Sequence, residues 1–463
     1  MSTISRRSFL GSSSLALGGA LLGARSHGAA PRPPNVVFLL GDDLRPDGLA
    51  SLGNPVVTSP NIDSVVERGY CFRRAYTMGS MVGAVCLPSR TMLLTGRSLF
   101  HAENEASGVD PASYTFPKVM KDAGYATLHA GKFGNSPKNI TTEFDETVDP
   151  GQAADVAGHV VDFIRRRASE APLFIYMAGR EPHDPQYAPD TFYAQYNPAE
   201  IPLPASFAPF HSFDNGEMTV RDEMTLPFPR TPEALRAKLA RYYASITYWD
   251  SEFGRVLQAL RDAGQYENTV FIIAGDNGLS LGEHGLLGKQ NLYEFGGMHV
   301  PLVFAGPSIP RGETNALVYL MDVFPTVCDL ADVSNPSQVD GSSLASVLRG
   351  RSRGVREWLY TAYGEVQRAV TDGRWKLIRY PLIDKTQLFD LRHDPHEATD
   401  LAALPKHVKR VRSMLEKLGE LQRQNDDPVP LSVASPRPAD WSPELLTPEQ
   451  LQYQVEETKR SGG

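Results

Sequence analysis

Five short apolar runs between residues 35 and 307 constrain the fold of this chain more than any other feature. The runs are rich in β-branched and aromatic residues, and helix-like or loop-like stretches separate them. Continuous apolar runs of this length are typical of parallel strands that are covered on both faces. They occupy residues 35–40, 125–130, 172–177, 269–274 and 300–305. We therefore predict an α/β fold with a large, mainly parallel sheet flanked by helices on both faces.

Two long segments lie between the third and fourth runs. Residues 232–264 repeat apolar side chains at intervals of three and four residues, which predicts a long helix. Residues 184–231 are Pro-rich and aromatic and show no period. Long irregular segments of this kind are often functional when they are ordered. We expect this one to run over the surface above the site.

The last quarter of the chain has a different pattern. Gly, Ser and Arg residues over about 340–360 indicate a boundary. Apolar segments at 368–380 and 387–391, separated by turn residues, predict a small antiparallel sheet. A helix over about 406–424 would pack on that sheet. Residues 426–463 are polar and Pro-rich, which predicts a wrapping or partly disordered tail.

Polar side chains follow the first four apolar runs. They are Asp42 and Asp43 after the first, Lys132 after the second, His183 after the third, and Asp276 and Asn277 after the fourth. In open α/β sheets the ligand site lies beyond the carboxyl ends of the strands, so we expect these groups to converge. The carboxylates and the amide offer only oxygen ligands, which suits Ca²⁺ or Mg²⁺ rather than Zn²⁺. Either pair alone would more often be a turn or a helix cap.

Cys86 stands at the start of a predicted helix. Pro88 suits a first helical turn, and Met92, Leu93 and Leu94 give the helix an apolar side. A helix N-terminus favours anions and lowers thiol pKa values. A lone cysteine in such a run is more often a small buried apolar residue. The setting alone does not separate a thiol nucleophile from a modified cysteine.

The run from Cys86 through Pro88, Ser89, Arg90, Gly96 and Arg97 resembles the signature of the type I, formylglycine-dependent sulfatases. Further motifs follow in the family's order across nearly the whole chain after the leader. They are Asp42-Asp43, Gly131-Lys132, Pro182-His183, Asp276-Asn277, Gly282-Glu283-His284, Lys289 with Tyr293-Glu294, and Leu388-Phe389-Asp390 through Glu397. The resemblance implies a catalytic domain over 31–350 and a C-terminal subdomain with a Pro-rich tail over 351–463.

The resemblance also implies a site and a reaction. Cys86 would be converted to formylglycine and would join Asp42, Asp43, Asp276 and Asn277 as a metal ligand. One hydroxyl of the hydrated aldehyde would attack sulfur, and the other would restore the aldehyde and expel sulfate. The remaining roles fall to cations: Arg90 would neutralise the formylglycine oxyanion, Lys132 and Lys289 would hold the sulfate oxygens, and His183 would protonate the leaving alcohol.

Other candidates concern the substrate side of the pocket. His284 and His299 are candidate substrate-binding residues, whereas His129 lies within a strand and is expected in the core. Many members of the family have a histidine where this chain has Gly134. Asn135 is expected to substitute for it, as in relatives of the glucosamine-6-sulfatase type.

The N-terminus indicates export. Arg6 and Arg7 precede a short apolar stretch rich in Gly and Ser, which is typical of a twin-arginine (Tat) signal over residues 1–30. We expect a periplasmic or secreted bacterial protein that passes through the Tat machinery and has no membrane span once the signal is removed. The chain's formal net charge is −8, which speaks against a nucleic-acid partner.

Three cysteines exclude a disulfide framework, and Cys71 and Cys328 are expected to be buried free thiols. The leading hypothesis is a hydrolase that releases sulfate from a sulfated small molecule, oligosaccharide or polysaccharide, after maturation by a formylglycine-generating enzyme. One alternative is a phosphonate monoester or phosphodiester hydrolase of the same superfamily. A catalytically silent carbohydrate-binding relative is another.

Overall fold

Two sheets carry the fold. The computed structural model describes residues 32–102, 114–134, 136–167 and 171–461, so the predicted leader over 1–30 lies outside them. The strands are β1 (Asn35–Gly41), β2 (Tyr70–Tyr76), β3 (Gly79–Ser80), β4 (Ala126–Gly131), β5 (Glu146–Val148), β6 (Leu173–Ala178), β7 (Thr269–Gly275), β8 (His299–Val300), β9 (Leu302–Ala305), β10 (Gly312–Tyr319), β11 (Leu359–Tyr363), β12 (Gln367–Thr371), β13 (Trp375–Tyr380) and β14 (Lys385–Asp390). The helices are α1 (Pro60–Val66), α2 (Cys86–Thr95), α3 (Leu99–Ala102), α4 (Phe116–Asp122), α5 (Lys138–Thr141), α6 (Ala153–Arg167), α7 (Asp190–Tyr193), α8 (Pro232–Asp262), α9 (Val323–Ala331), α10 (Ala345–Leu348), α11 (Val408–Gln424) and α12 (Pro448–Arg460).

The large sheet has nine strands in the described residues, in the order β10-β2-β9-β7-β1-β6-β4-β5, with β8 beside β2. Neighbouring strands around β1 are parallel, and β8 and β9 run the opposite way. The predicted mainly parallel sheet is therefore confirmed. The fifth apolar run is an exception, because Pro301 divides it into β8 and β9 and both pair antiparallel. Proline has no N–H to donate to a strand ladder.

Both faces of the large sheet are covered, as predicted. Alternate residues of β1 point to opposite faces, so Val37 and Leu39 pack in one apolar core while Val36 and Phe38 pack in another. The first core includes apolar side chains of α1, α6 and α8, and the second includes those of α2, α4 and α9. These two layers leave the carboxyl ends of the central strands as the open edge.

The second sheet has the order β14-β13-β12-β11-β3 and is antiparallel except where β3 pairs parallel with β11. Its core includes Met414 and Leu418 of α11, as predicted for the late helix. The chain after Asp426 ends in α12, where Gln454 Nε2 donates to the Leu226 carbonyl at 3.3 Å. The described part of the tail therefore wraps back onto an earlier segment.

The remaining thiols behave as small apolar residues. Cys71 in β2 and Cys328 in α9 are buried and free, as predicted. Burial raises the pKa of Cys71 to about 11. A search of the described residues for a helix of sufficient length and apolarity to cross a membrane finds none.

Candidate active site

The site begins where β1 and β7 end side by side. These strands pair in parallel with Gly41 opposite Gly275, so Asp42-Asp43 and Asp276-Asn277 leave the sheet as neighbours. The Asp43 N–H donates to Asp276 Oδ1 at 3.1 Å, and Asn277 Nδ2 donates to Asp43 Oδ1 at 2.7 Å. Asp43 has a left-handed φ of 65°, which turns the chain sharply after the strand. The predicted convergence of these four side chains is what the structure has.

Cys86 is the first residue of α2 and is fully buried against these carboxylates. Its Sγ lies 3.2 Å from Asp42 Oδ1 and 3.8 Å from Asp43 Oδ1. Lys289 Nζ is 3.2 Å from the same sulfur and 2.6 Å from Asp43 Oδ1. Lys132, directly after β4, pairs with Asp42 Oδ2. The sulfur is thus held between two carboxylates and a lysine.

Arg90 lies one helical turn after Cys86 and is also fully buried. Its Nε is 2.8 Å from Asp276 Oδ2, and its Nη2 is 3.4 Å from Asp42 Oδ2. Its Nη1 donates to Ser136 Oγ at 3.1 Å. We call the group formed by Cys86, three carboxylates (Asp42, Asp43, Asp276) and three cations (Arg90, Lys132, Lys289) the Cys86 cluster. Its side chains carry equal numbers of positive and negative charges.

The surroundings of Cys86 are unfavourable for a thiolate. Burial raises the pKa of the Cys86 thiol well above its usual range, and the carboxylates of Asp276 and Asp42 raise it further. Burial likewise raises the pKa of Asp276, whereas for Asp42 the cations Lys132, His183 and Arg90 overcome burial and lower the pKa. A cysteine nucleophile acts as the thiolate. Apart from a bound cation, these surroundings therefore favour the protonated thiol over the thiolate.

His183 enters the site from the loop after β6. Its Nδ1 is 2.6 Å from the carbonyl oxygen of Asp184, which can only accept, so Nδ1 carries a proton. Its Nε2 points into the site, 3.7 Å from Asp43 Oδ2. Arg221 pairs with the Asp184 carboxylate, and together with His183 it lowers the pKa of Asp184 to about 2 against the effect of burial. This chain of contacts fixes the orientation of the imidazole ring.

The oxygen-rich part of the cluster fits a divalent cation. Ligand atoms of Asp42, Asp43, Cys86 and His183 all lie within 4.8 Å of one another. The side-chain oxygen of Asn277 is buried beside them and has no hydrogen-bond partner, although its amide nitrogen donates to Asp43. A buried amide oxygen rarely stays unsatisfied unless an ion or water contacts it. The donor set suits a hard cation such as Ca²⁺ or Mg²⁺.

A cavity of about 330 Å³ opens beside the cluster. The mostly buried Lys132 and His183 line it, together with the exposed residues Arg180, Tyr187 and Gln152. Arg180 Nη2 lies 2.7 Å from Asp149 Oδ1, and nearly half of the Tyr187 side chain is exposed. A half-open cavity with a cationic base and an aromatic rim can hold an anionic group joined to a larger polar body.

Not every predicted site residue lies at this cavity. His284 stacks on Tyr293 with ring centroids 4.0 Å apart, and burial lowers its pKa to about 3. His299 stacks on Tyr76 and its Nε2 lies 2.9 Å from the Arg73 carbonyl. Neither lines the cavity beside Lys132, because tertiary packing directs both rings toward the second sheet. Asn135 lies outside the described residues.

Three contributors were not found by sequence reasoning. Ser136 contacts Arg90, Asp184 contacts His183, and Arg221 contacts Asp184. Asp184 directly follows Pro182-His183 in the sequence, and this position is the one feature that could have indicated its part in the site. Arg221 lies in the aperiodic segment 184–231, whose sequence gives no indication of which side chain reaches the site.

Comparison with known proteins agrees with this architecture. The sequence model of the sulfatase family matches residues 34–333, and a model described as N-sulphoglucosamine sulphohydrolase, C-terminal, matches residues 282–424. The first match covers more than half of the chain and includes the Cys86 cluster. The chain therefore belongs to the sulfatase family, and it is a sulfatase enzyme with the family's α/β fold.

Related proteins resemble the chain along most of its length. An arylsulfatase of Clostridium perfringens is 26% identical over 448 residues, with 82% of this chain and 92% of that protein covered. An N-acetylglucosamine-6-O-sulfatase of Bacteroides thetaiotaomicron is 24% identical over 495 residues, with 86% of this chain and 88% of that protein covered.

Solved structures show the same fold in proteins of different activity. A structure described as in complex with its substrate D-glucosamine-2-N,6-O-disulfate superimposes with a TM-score of 0.72 at 20% identity, covering 86% of this chain and 99% of the other. A phosphonate monoester hydrolase of Agrobacterium radiobacter superimposes with a TM-score of 0.71 at 21% identity, covering 85% and 96%. The fold alone therefore does not distinguish sulfate from phosphonate esters.

Proposed function

We propose that this protein hydrolyses sulfate esters of carbohydrates with a formylglycine formed from Cys86 and a divalent cation. The observation that carries the proposal is the buried position of Cys86 Sγ, in contact with Asp42, Asp43 and Lys289. The high pKa of the thiol argues against the unmodified residue as nucleophile. Hydrated formylglycine supplies a hydroxyl that attacks sulfur and a second one whose oxygen restores the aldehyde as sulfate leaves.

The chain's own side chains divide the remaining work. Asp42, Asp43, Asp276 and Asn277 would hold the cation, which would polarise the sulfate oxygens. Lys132 and Lys289 would bind those oxygens, since Lys289 Nζ lies 3.2 Å from Cys86 Sγ and Lys132 pairs with Asp42, which also contacts that sulfur. Arg90 would neutralise the nucleophile's oxygen. His183 would act as the imidazolium: its Nδ1–H donates to the Asp184 carbonyl, and its Nε2 would give the second ring proton to the departing alcohol oxygen.

Carbohydrate substrates are supported by the relatives and by the cavity. Two of the proteins above are named for sulfated glucosamines, and the cavity joins a cationic base to a partly exposed Tyr187. An aromatic ring at a cavity rim can pack against a sugar face. The Tat leader predicted over 1–30 would place the enzyme in the periplasm or outside the cell, where such polymers are met.

Two measurements test the proposal. Mass spectrometry of the peptide that contains Cys86, taken from a host with a formylglycine-generating enzyme, should show the aldehyde or its hydrate. Parallel assays should give a higher kcat/KM for sulfated mono- and oligosaccharides than for phosphate diesters and phosphonate monoesters. An unmodified thiol in active protein would contradict the first part of the proposal.

The second candidate function is phosphonate monoester or phosphodiester hydrolysis. The Agrobacterium radiobacter enzyme, which shares the fold at 21% identity, motivates this candidate, and the assays above decide between the two. A higher kcat/KM for the phosphorus esters would establish this candidate and reject the first.

A further inference from the structure

A second cavity lies apart from the Cys86 cluster. Its volume is about 600 Å³, and it lies among α7, α8 and α12. Its walls are largely apolar or aromatic and include Tyr193, Tyr196, Leu226 and Pro227. It shares no lining residue with the cavity beside Lys132 and His183. Its size and lining are those of a small-molecule site.

Lys238 of α8 faces this cavity and is only 7% exposed. Among the described residues it makes no hydrogen bond and no ion pair. The other lysines buried to this degree in the described part of the chain are Lys132, Lys289 and Lys376, and each pairs with a carboxylate. Burial lowers the pKa of Lys238, although Asp184 and Asp222 at longer range raise it. The Lys238 ammonium group therefore has only the cavity to face, and a cation in so apolar a space is costly unless an anion pairs with it.

A second cation faces the same space. Arg241 lies one helical turn after Lys238 and also lines the cavity. Its Nε is buried without a hydrogen-bond partner, and its guanidinium carbon lies 5.4 Å from the centre of the Tyr193 ring. Two cationic groups with unused donors thus meet an aromatic wall.

We propose that this cavity is a second, non-catalytic binding site for an aromatic organic anion. The carboxylate or sulfonate of the ligand would pair with Lys238 and with the guanidinium group of Arg241. Its rings would pack between Tyr193 and Tyr196 on one side and Leu226 and Pro227 on the other. An inorganic anion would satisfy the cations and leave the apolar walls without a partner.

Two fluorescent probes of nearly the same shape test this proposal. 8-Anilinonaphthalene-1-sulfonate carries a sulfonate, and N-phenyl-1-naphthylamine lacks it. Both are titrated into the full-length protein at several concentrations of inorganic sulfate, which is added to compete for the proposed catalytic site. We expect saturable binding at one site, with the sulfonate bound at least about tenfold more tightly than the neutral probe.

Three variants assign the binding to this cavity. Lys238→Met keeps an apolar chain of similar length, and it should remove the preference for the sulfonate while binding of the neutral probe is kept. Ala237→Trp places a large ring at the exposed mouth of the cavity and should weaken both probes. Lys409→Met removes an exposed lysine of α11 and should change neither. Thermal unfolding checks that each variant is folded.

The proposal is overturned if the sulfonate preference persists in Lys238→Met, or if Ala237→Trp binds both probes as the unchanged protein does. Displacement of the probe by inorganic sulfate in proportion to its concentration would also overturn it, because the site would then accept any anion. If Lys238→Met does not fold, Ala237→Trp decides alone, since residue 237 is exposed and tolerates a larger side chain.

Discussion

Two clusters of buried acidic and basic side chains in this protein are similar in composition but differ in what they surround. The Cys86 cluster lies at the carboxyl ends of β1 and β7. A second group, the inter-sheet cluster, consists of Glu294, Lys376 and Glu397 and joins the loop after β7 to β13. Lys376 Nζ lies 2.9 Å from Glu294 Oε1 and 3.1 Å from Glu397 Oε1, and Tyr76 donates to Glu294 Oε2 at 2.7 Å.

The difference lies in what the charges surround. The Cys86 cluster surrounds a reactive side chain, and its Lys132 lines the neighbouring cavity. The inter-sheet cluster contains no nucleophile, and its lysine bridges both carboxylates. Buried charge next to a cavity is therefore arranged for chemistry, whereas buried charge between two sheets holds the sheets together. Substitutions in the two clusters should accordingly affect different measurements.

Cys86→Ala gives the largest expected effect. It removes the nucleophile and its modification, so kcat/KM for sulfate esters should fall by at least about 10³-fold while the unfolding temperature changes little. Cys328→Ala is the matched control, because it removes another buried thiol far along the chain and should keep activity. Substantial activity in Cys86→Ala would reject Cys86 as the nucleophile, and with it the distinction between the Cys86 cluster and the inter-sheet cluster.

Removal of the divalent cation should come next. Exhaustive chelation should lower kcat/KM by at least about 10²-fold, and added Ca²⁺ or Mg²⁺ should restore it, because the carboxylates at the β1 and β7 ends would otherwise repel one another. The unfolding temperature should fall as well, since a bound ion stabilises the folded state. Full activity after chelation, with no metal detected by mass spectrometry, would contradict the proposed ligand set.

Lys376→Met and Lys289→Met form a pair that separates stability from catalysis. Lys376→Met leaves two buried carboxylates unpaired and should lower the free energy of unfolding by about 3–5 kcal/mol. Lys289→Met should instead lower kcat/KM by about 10²-fold, since the sulfate oxygens would lose their contact with the Lys289 ammonium group. Denaturant unfolding and steady-state kinetics measure the two effects. If both variants lost only stability, the distinction between the clusters would be wrong.

The smallest expected effect concerns pH. Burial, with Glu294 nearby, raises the pKa of Glu397 to about 7, although Lys376 opposes the shift. A raised carboxyl pKa means that the folded protein holds the proton more tightly than the unfolded chain. The protonated Glu397 carboxyl therefore stabilises the folded state. This contribution to the free energy of unfolding is complete below pH 4.5 and is lost as the pH rises through about 7.

Glu397→Gln mimics the protonated carboxyl and should remove that dependence. Between pH 5 and pH 8 the unchanged protein should lose up to about 3 kcal/mol of unfolding free energy relative to this variant. Denaturant unfolding at several pH values measures the difference. Parallel curves for the two proteins would show that Glu397 does not titrate in this range.

Much of the fold could be predicted because apolar runs and turns are local. The strands β1, β4, β6 and β7 lie within one residue of the predicted runs. The helix predicted over 232–264 is α8. The strand β2 was missed because Arg73 and Arg74 interrupt its apolar pattern, yet tertiary pairing with β10 and β9 keeps it in the sheet.

The site residues likewise divide into those that local sequence predicts and those that depend on tertiary packing. Residues directly after predicted strands converge because neighbouring parallel strands end at one edge, which placed Asp42, Lys132, His183 and Asp276 together. His284 and His299 lie in the same part of the sequence as Lys289, but packing against Tyr293 and Tyr76 turns them elsewhere. Side-chain direction in a long loop depends on contacts with distant segments, and no local pattern encodes it.

The sequence by itself determined three things: the class of fold, the polar residues that follow each central strand, and the motif that begins at Cys86. Each is a short-range property, set by periodicity or by a motif of adjacent residues. Only the tertiary structure decided that Arg221 reaches Asp184, that Lys376 bridges two carboxylates, and that Lys238 faces a cavity without a partner. Those contacts join residues more than twenty positions apart or depend on how helices pack, because burial and pairing are properties of the folded chain.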